Sequence, residues 1–219
     1  MNQDIRFTIY KVTIMHQIIK DSLDNSINYT DYYRLMQKLV QNKVTTGDDV
    51  SEANINYTML NERRMSRWNK KLKITESDET KIKEFNHEVI WLVISESWCE
   101  DAAHLIPVMN KAAELNGNIN LRIVLRDDNK DLMNRFLTNG SESIPKLIMI
   151  ETDTLEVIDT YGPRPSIVTE MVENFKKAHG KLTPEFKEDL QRWYNKDKGK
   201  NTIVDLTELL EKYTLNFSL

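Results

Sequence analysis

The segment Trp98–Ala102, which reads Trp-Cys-Glu-Asp-Ala, contains the only cysteine of the chain, Cys99. It follows the apolar run Val89–Ile94, which is typical of a buried strand, and it opens a stretch with helical periodicity. A cysteine at such a junction lies where a helix N-terminus can lower the pKa of a thiol. Ala102 occupies the second cysteine position of a Cys-x-x-Cys motif. The segment therefore cannot close its own disulfide and is limited to one-thiol chemistry.

The acidic residues next to Cys99 oppose the formation of a thiolate. Glu96, Glu100 and Asp101 lie close to it in sequence, and nearby negative charge raises a thiol pKa. His104 lies about 140° around a helix from Cys99, so we do not expect it to act as its base. Two interpretations of Cys99 stay open: a nucleophilic thiolate, or an inert cysteine in a fold that is used for binding.

The composition is that of a globular chain and gives no sign of nucleic-acid or membrane binding. The 219 residues are 40% hydrophobic, which is enough for a sizeable core, and the net charge of −4 disfavours nucleic-acid binding. The apolar runs are too short to cross a bilayer, and the first residues lack the features of a signal peptide. A single cysteine fits a reducing, cytoplasmic compartment. The histidines are scattered, so we expect no metal site and no cofactor.

The hydrophobic pattern divides the chain into three parts. We predict a helical N-terminal extension over residues 1–75, a core over 76–180, and a C-terminal helical extension packed on the core over 181–219. The core order β-α-β-α-β-β-α indicates an α/β fold with one mixed sheet. Its predicted elements are helix Asp78–Asn86, strand Val89–Ser95, a helix from Cys99 to about Asn116, strand Asn120–Arg126, helix Asn129–Thr138, strands Lys146–Glu151 and Leu155–Tyr161, and helix Ser166–His179.

Both extensions contain helix starts. Asn28 or Thr30 is suited to cap one helix, Ser51 precedes a second, and Thr183 with Pro184 at the first helical position begins a third. The second of these helices has a basic face, which we interpret as a solvated surface in preference to a site for an anionic partner. Its charged residues are Glu62, Arg63, Arg64, Arg67, Lys70 and Lys71.

Three residues outside the cysteine segment give the core a resemblance to the thioredoxin fold. Pro107 lies eight residues after Cys99, inside the predicted helix, where thioredoxins carry a proline that kinks the helix. Pro145 directly precedes a predicted strand and matches the cis-proline of that family, which faces the active cysteine. Gly162 ends the last predicted strand, at the place of the family's glycine beside the active site.

Longer motifs resemble a group of bacterial thioredoxin-family proteins with helices flanking the core and a site that reads Trp-Cys-x-Asp-Ala-Ala. The resemblance covers most of the chain and is specific for the fold. It says little about function, because such proteins are mostly named by fold alone. Ala102 departs from ordinary thioredoxins and argues against a dithiol reductase. The matching motifs are Trp98–Ala103, Asn139-Gly140-x-x-Ser143-Ile144-Pro145-Lys146, Gly162-Pro163-Arg164-Pro165 and Trp193-Tyr194-x-Lys196-Asp197-Lys198.

The resemblance implies a site in which Cys99 is the catalytic nucleophile. It brings Arg164 and Lys146 towards the thiol, where positive charge would lower the thiol pKa. Arg164 lies between two prolines, and we expect it either to hold the carboxylate of a small thiol or to pair with Glu100 or Asp101. The residues expected to line the site are Trp98, Glu100, Asp101, Ala102, Ile144, Pro145, Gly162 and Arg164.

Two functions are compatible with such a site. The first is a monothiol thiol-disulfide oxidoreductase acting on mixed disulfides between protein substrates and a low-molecular-weight thiol, with the backbone at Ile144 binding the substrate chain as an added strand. An external thiol would then release the Cys99 adduct. The alternative is a redox-inactive interaction or scaffold protein. A peroxidase is more remote because Glu96 stands where threonine would be needed. The sequence does not predict the oligomeric state.

Overall fold

The computed structural model describes residues 3–217, with side chains from residue 13 to residue 215. Residues 1, 2, 218 and 219 belong to the predicted extensions, and the first two also to the segment considered for a signal peptide; they lie outside the described residues. The helices are α1 Gln3–Asp24, α2 Tyr29–Asn42, α3 Glu52–Lys71, α4 Glu76–Glu84, α5 Glu100–Ala113, α6 Lys130–Met133, α7 Ser166–His179, α8 Pro184–Asp197 and α9 Lys200–Phe217. The strands are β1 Val89–Ser95, β2 Ile119–Leu125, β3 Lys146–Glu151 and β4 Val157–Tyr161.

A mixed four-stranded sheet in the order β2-β1-β3-β4 forms the centre of the molecule. β1 runs parallel to β2 and antiparallel to β3, and β4 pairs antiparallel with β3. All seven residues of β1 are buried. Because successive side chains of a strand point to opposite faces, this burial requires cover on both faces of the sheet. The predicted α/β fold, a mixed sheet flanked by helices with further helices at both ends, is confirmed.

The unit β1-α5-β2 positions the cysteine segment. α5 is the crossover between two parallel strands, and it is buried along most of its length because α3, α9 and β2 all pack against it. Pro107 lies inside this helix, as the sequence predicts. The turn from β1 into α5 therefore has a rigid strand before it and a buried helix after it, so the Cys99 backbone has a defined place.

The region after β2 differs from its prediction. A helix was expected over Asn129–Thr138, but α6 ends at Met133. The reason is a turn in which Asn139 and Gly140 both have positive φ, 51° and 76°, and which lets the backbones of Thr138 and Ser141 bond to each other. In the loop that replaces the end of the predicted helix, Phe136 packs against the core and Leu137 is exposed.

The flanking helices begin close to the predicted positions. Asn28, rather than Thr30, caps α2, Ser51 caps α3, and the Thr183 hydroxyl accepts from the Phe186 amide at the start of α8. α3 packs on both α2 and α5, and α9 contacts α4, α5, α7 and β4. Among residues 3–217, no helix is both long and apolar enough to cross a membrane.

Candidate functional site

Cys99 is the N-cap residue of α5, and its side chain makes no capping bond to the helix. Its Sγ donates instead to the backbone carbonyl of Ile144, at 3.3 Å. This carbonyl lies beside Cys99 because Lys146, the first residue of β3, pairs with Ile94 near the end of β1. The pairing brings the residues that precede β3 to the N-terminus of α5. The Ile144–Pro145 peptide bond is cis. The thiol and the loop before β3 are thus in direct contact.

Burial dominates the ionisation of the Cys99 thiol. Only 7% of the residue is exposed, and desolvation, followed by the charge of Asp101, raises the thiol pKa to about 12. The backbone amides of Asp101 and Ala102 and the charge of Arg164 act in the opposite direction but do not outweigh burial. The helix N-terminus therefore does not produce a thiolate here, and the thiol is protonated at neutral pH.

The two acids that follow Cys99 are paired. Glu100 forms an ion pair with Arg64 of α3 at 3.1 Å, and Asp101 forms one with Arg164 at 2.8 Å. Asp101 also accepts from the hydroxyl of Tyr194 in α8, at 2.8 Å. Burial nevertheless raises the pKa of Asp101, against the lowering effects of Arg164 and Tyr194. Of the two options for Arg164, pairing with an acid is the one observed.

Lys146 does not serve the thiol as the resemblance implied. Its ammonium donates to the hydroxyl of Thr138 at 3.3 Å and is attracted by Asp159, both on the side of β3 and β4. Burial lowers the pKa of Lys146. Arg164 is thus the cation whose charge acts on Cys99.

A cluster of buried hydrogen bonds, the Ser97 cluster, holds the residue before Trp98 in place. The Ser97 hydroxyl contacts the hydroxyls of Thr45 and Thr58 at 3.1 and 2.8 Å, and it accepts from the Thr46 amide at 3.0 Å. The Ser97 amide donates to the Thr46 hydroxyl at 2.8 Å, and Asn61 donates to the Ser97 carbonyl at 2.8 Å. The N-terminal extension therefore provides partners for both backbone polar groups of Ser97.

Glu96 is a fully buried acid at the end of β1. Its carboxylate accepts from the Thr46 hydroxyl and from the Asp127 amide, the latter at 3.0 Å. Burial raises the pKa of Glu96, while these two hydrogen bonds lower it and do not cancel the effect. Glu96 thus ties β1 to the loop at residue 46 and to the loop after β2.

His104 occupies a second buried cluster, between α3, α5 and α8. The Trp68 indole, which can only donate, bonds to Nδ1 at 3.0 Å, so Nε2 carries the proton and donates to Gln191 Oε1 at 2.8 Å. The Tyr194 ring stacks on His104 with centroids 4.2 Å apart. Burial lowers the His104 pKa to about 3. His104 is therefore a neutral link between α3, α5 and α8.

A cavity of about 410 Å³ lies beside Cys99 and has walls from all three parts of the chain. The predicted site residues Trp98, Glu100, Asp101, Ile144 and Arg164 line it together with Cys99. The remaining lining residues are Asn54 and Tyr57 of α3, Arg126, Glu142, Ser143, Pro163, Leu182, and Lys187, Leu190 and Gln191 of α8. The flanking helices thus shape the opening to Cys99.

Three predicted site residues lie behind the cavity wall. Ala102 is buried within α5. Gly162 has φ +102° and approaches Pro145 so closely that a Cβ there would lie 2.4 Å from the Pro145 carbonyl oxygen. Only glycine fits this contact. Pro145 and Gly162 therefore support the loop that carries Ile144. Trp98, by contrast, forms part of the cavity wall; it is half-buried, and the Arg126 guanidinium lies 5.0 Å from its ring centre.

Several residues of the site are not evident from the sequence reasoning. Thr58 and Asn61 lie on the same face of α3 as Met65 and Trp68, at helical spacing, and all four are buried. Polar residues in an apolar stripe are a signal of a buried hydrogen-bond network, and this signal was available in the sequence. Gln191 carries no such signal, because its role depends on where α8 docks. Among the residues that the structure describes, no cluster of acidic, histidine or cysteine side chains is arranged to hold a metal ion.

The fold and the cysteine junction define a thioredoxin-like protein, and comparison with known proteins agrees. The model of a family described as Thioredoxin matches residues 47–176, more than half of the chain, and the chain belongs to this family. No curated protein matches the chain.

Two solved structures share the fold. A protein of unknown function from Pseudomonas aeruginosa, solved at 1.5 Å, is 15% identical with a TM-score of 0.60, and the match covers 87% of this chain and 95% of that one. An HIV epitope-scaffold is 16% identical with a TM-score of 0.55, covering 85% and 99% of the two chains. At this identity the similarity concerns the fold alone.

Proposed function

We propose that this protein is a thioredoxin-fold binding protein that engages a polypeptide partner at the Cys99 cavity without disulfide turnover. One observation carries the proposal: the Cys99 thiol is buried and hydrogen-bonded to the Ile144 carbonyl, an environment that disfavours the thiolate. Because burial raises the pKa of this thiol to about 12, the thiolate is a minor form at pH 7. The thiolate is the nucleophile in disulfide exchange, so this state supports binding over catalysis.

The lining of the cavity supports a polypeptide as the partner. Tyr57, Leu182 and Leu190 offer apolar surface from the two flanks, and Glu142 and Lys187 are exposed charges of opposite sign at the same opening. Such a mixture suits a peptide segment with an apolar side chain and flanking charges better than a compact anion. The proposed partner is thus a protein, one of the two partner classes that the resemblance implies.

The test distinguishes binding of a partner by the cavity from reaction of a partner with the Cys99 thiol. Immobilised wild-type protein, Cys99→Ser and Leu182→Asp are compared for the proteins they retain, with Leu215→Asp as the control at an exposed leucine of α9. We expect Cys99→Ser and Leu215→Asp to retain what the wild type retains, and Leu182→Asp to lose it. Loss of all partners in Cys99→Ser, with mixed disulfides on non-reducing gels of the wild type, would contradict the proposal.

A monothiol oxidoreductase is the second candidate, favoured by the place of Cys99 in the wall of an open cavity beside Arg164. The Cys99 thiolate would attack the small-thiol sulfur of a mixed disulfide, breaking the S–S bond and releasing the protein thiolate. A second small thiol would then attack the adduct, regenerating Cys99 and leaving as the symmetrical disulfide. Turnover of a glutathionylated or bacillithiolated peptide, absent in Cys99→Ser, would establish this function instead.

The setting of the protein is proposed with its function. On the basis of the single cysteine, we propose a reducing, cytoplasmic compartment and no cofactor. The net charge of −4 supports the absence of a nucleic-acid or membrane partner. The Trp98–Ala103 motif supports membership of the single-cysteine bacterial thioredoxin group. The division into an extension over 1–75, a core over 76–180 and an extension over 181–219 is likewise a proposal.

A further inference from the structure

Helix α8 forms one side of the Cys99 cavity and is attached to the core by two hydrogen bonds, by the buried side chains of Leu190 and Tyr194, and by Phe186 stacked on Phe175. Lys187, Leu190 and Gln191 line the cavity. Tyr194 donates to Asp101 at 2.8 Å, and Gln191 accepts from His104 at 2.8 Å. Both contacts reach α5 within six residues of Cys99, so the position of α8 and the enclosure of the thiol are linked.

The burial of α8 is small for a helix of 14 residues. Leu190 and Tyr194 are its buried residues, and its outer face carries Glu188, Asp189 and Arg192, which pair with one another in solvent. Elements with few buried apolar side chains open at a lower free energy than the strands of a core. α8 has the composition expected of an element that detaches locally.

The ends of α8 allow such a movement. Gly180 precedes it with φ +77°, and a Cβ at this position would meet no atom within 4 Å, so the chain is unpacked there. Gly199 follows it with φ +80° and lies against Val108 and Leu72, where a Cβ would come within 2.8 and 3.1 Å. The chain before α8 is therefore unpacked at Gly180, the first turn of α8 is held by the Phe186 ring stacked on Phe175 of α7 with centroids 3.9 Å apart, and its C-terminal end is anchored on α5.

We propose that α8 is a lid over the Cys99 cavity, closed by a latch that consists of the Tyr194–Asp101 and Gln191–His104 hydrogen bonds. Opening hinges at Lys198 and Gly199 and moves Leu182 and Leu190 away from the cavity. A partner gains access to Cys99 and to the loop at Ile144 in the open state. The lid regulates the site named above, so its role, though not its existence, rests on the proposed function.

Opening also changes the environment of the thiol. Asp101 loses the Tyr194 hydroxyl and keeps Arg164, and water reaches side chains that the closed lid encloses. Because burial is the main cause of the raised Cys99 pKa, hydration lowers it towards the ordinary range. The lid thus controls both access to Cys99 and its reactivity.

The first experiment measures the rate of Cys99 alkylation by iodoacetamide in Tyr194→Phe at constant pH. We expect about a tenfold acceleration over the wild type, because the closed state loses a hydrogen bond to a carboxylate and the open state does not. The matched control is Tyr29→Phe, which removes a buried hydroxyl bonded to Asn69 at 2.6 Å between α2 and α3. Equal rates in Tyr194→Phe and the wild type, or equal acceleration in both variants at equal global stability, would overturn the lid.

The second experiment uses the wild type alone and remains decisive if Tyr194→Phe does not fold. Alkylation is followed at urea concentrations below the unfolding transition. A local opening exposes little surface, so we expect its rate to rise much less steeply with urea than the global unfolding constant. A slope equal to the global m-value means that Cys99 reacts only after complete unfolding, and there is then no lid. Neither readout involves a partner, so a failed lid leaves the proposed function standing.

Discussion

The cysteine segment is held differently on its two sides. On the side of the N-terminal extension, the Ser97 cluster joins Thr45, Thr46, Thr58 and Asn61 to one residue by short buried hydrogen bonds. On the side of α8, Tyr194 donates one hydrogen bond to Asp101, Gln191 accepts one from His104 and Asn195 accepts one from Arg67 of α3, and the helix surface is largely exposed.

The difference indicates which extension is structural and which is adjustable. Removing one partner from a buried cluster leaves another polar atom without a hydrogen bond and costs the full desolvation of that atom. Removing an exposed contact of α8, such as that between Asn195 and Arg67, lets water take its place at little cost. The N-terminal flank therefore fixes the backbone of the site, whereas the C-terminal flank sets how much of it is open.

The largest contrast is expected from one substitution made on each side. Asn61→Ala removes a fully buried amide that donates to Ser97 O and accepts from Arg64, and we expect it to lower the free energy of unfolding by about 2–3 kcal/mol. Asn195→Ala removes an exposed side chain that contacts Arg67, and the expected loss is below about 0.5 kcal/mol. Urea unfolding measures both. Similar losses would show that the two flanks are held alike.

A smaller effect is expected from Thr46→Val, which keeps the shape and removes the hydroxyl. The Ser97 amide and the Glu96 carboxylate both lose a partner, and we expect a loss of about 1–2 kcal/mol in the free energy of unfolding. Thr80→Val is the control, because its exposed hydroxyl bonds only within α4. Calorimetric or urea unfolding of both variants measures the two losses. A Thr46→Val protein as stable as the wild type would show that the hydrogen bonds of Thr46 to Glu96 and Ser97 do not stabilise the N-terminal flank.

The smallest effect is a pH trend in Glu96→Gln. Burial raises the pKa of Glu96 in the folded protein, so folding favours the protonated carboxyl. Its stabilising contribution is complete below the unfolded pKa of about 4.3 and is lost as pH rises through the higher native pKa. Since glutamine does not ionise, we expect the stability of Glu96→Gln relative to the wild type to increase from pH 4 to pH 7. A relative stability that falls with pH over this range would contradict the cause assigned to the shift.

The core elements follow from the sequence where local and tertiary preferences agree. β1, β3 and α7 have the predicted ends because apolar runs and glycines mark them without ambiguity. The helix predicted over Asn129–Thr138 was wrong beyond Met133, since the positive φ of Asn139 and Gly140 places a turn where the prediction continued the helix.

The site is less predictable because its contacts join distant parts of the chain. The sequence identifies Cys99 as a candidate, and the resemblance adds Arg164 and the loop at Ile144. The structure places all three around one cavity. The bond between Tyr194 and Asp101 spans 93 positions and depends on how α8 docks. The degree of burial of Cys99, which controls its ionisation, is likewise a product of packing rather than of neighbouring residues.

The pH dependence of Cys99 alkylation by iodoacetamide in the intact wild-type protein tests the central claim, that this thiol is protonated and not catalytic at neutral pH. Cys99 is the only cysteine, so the rate reports on one group. We expect a slow rate at pH 7 that keeps rising beyond pH 9, with an apparent pKa well above the unperturbed value of about 8.5. A rapid rate at pH 7 that levels off with an apparent pKa at or below 8.5 would contradict the claim and favour the oxidoreductase.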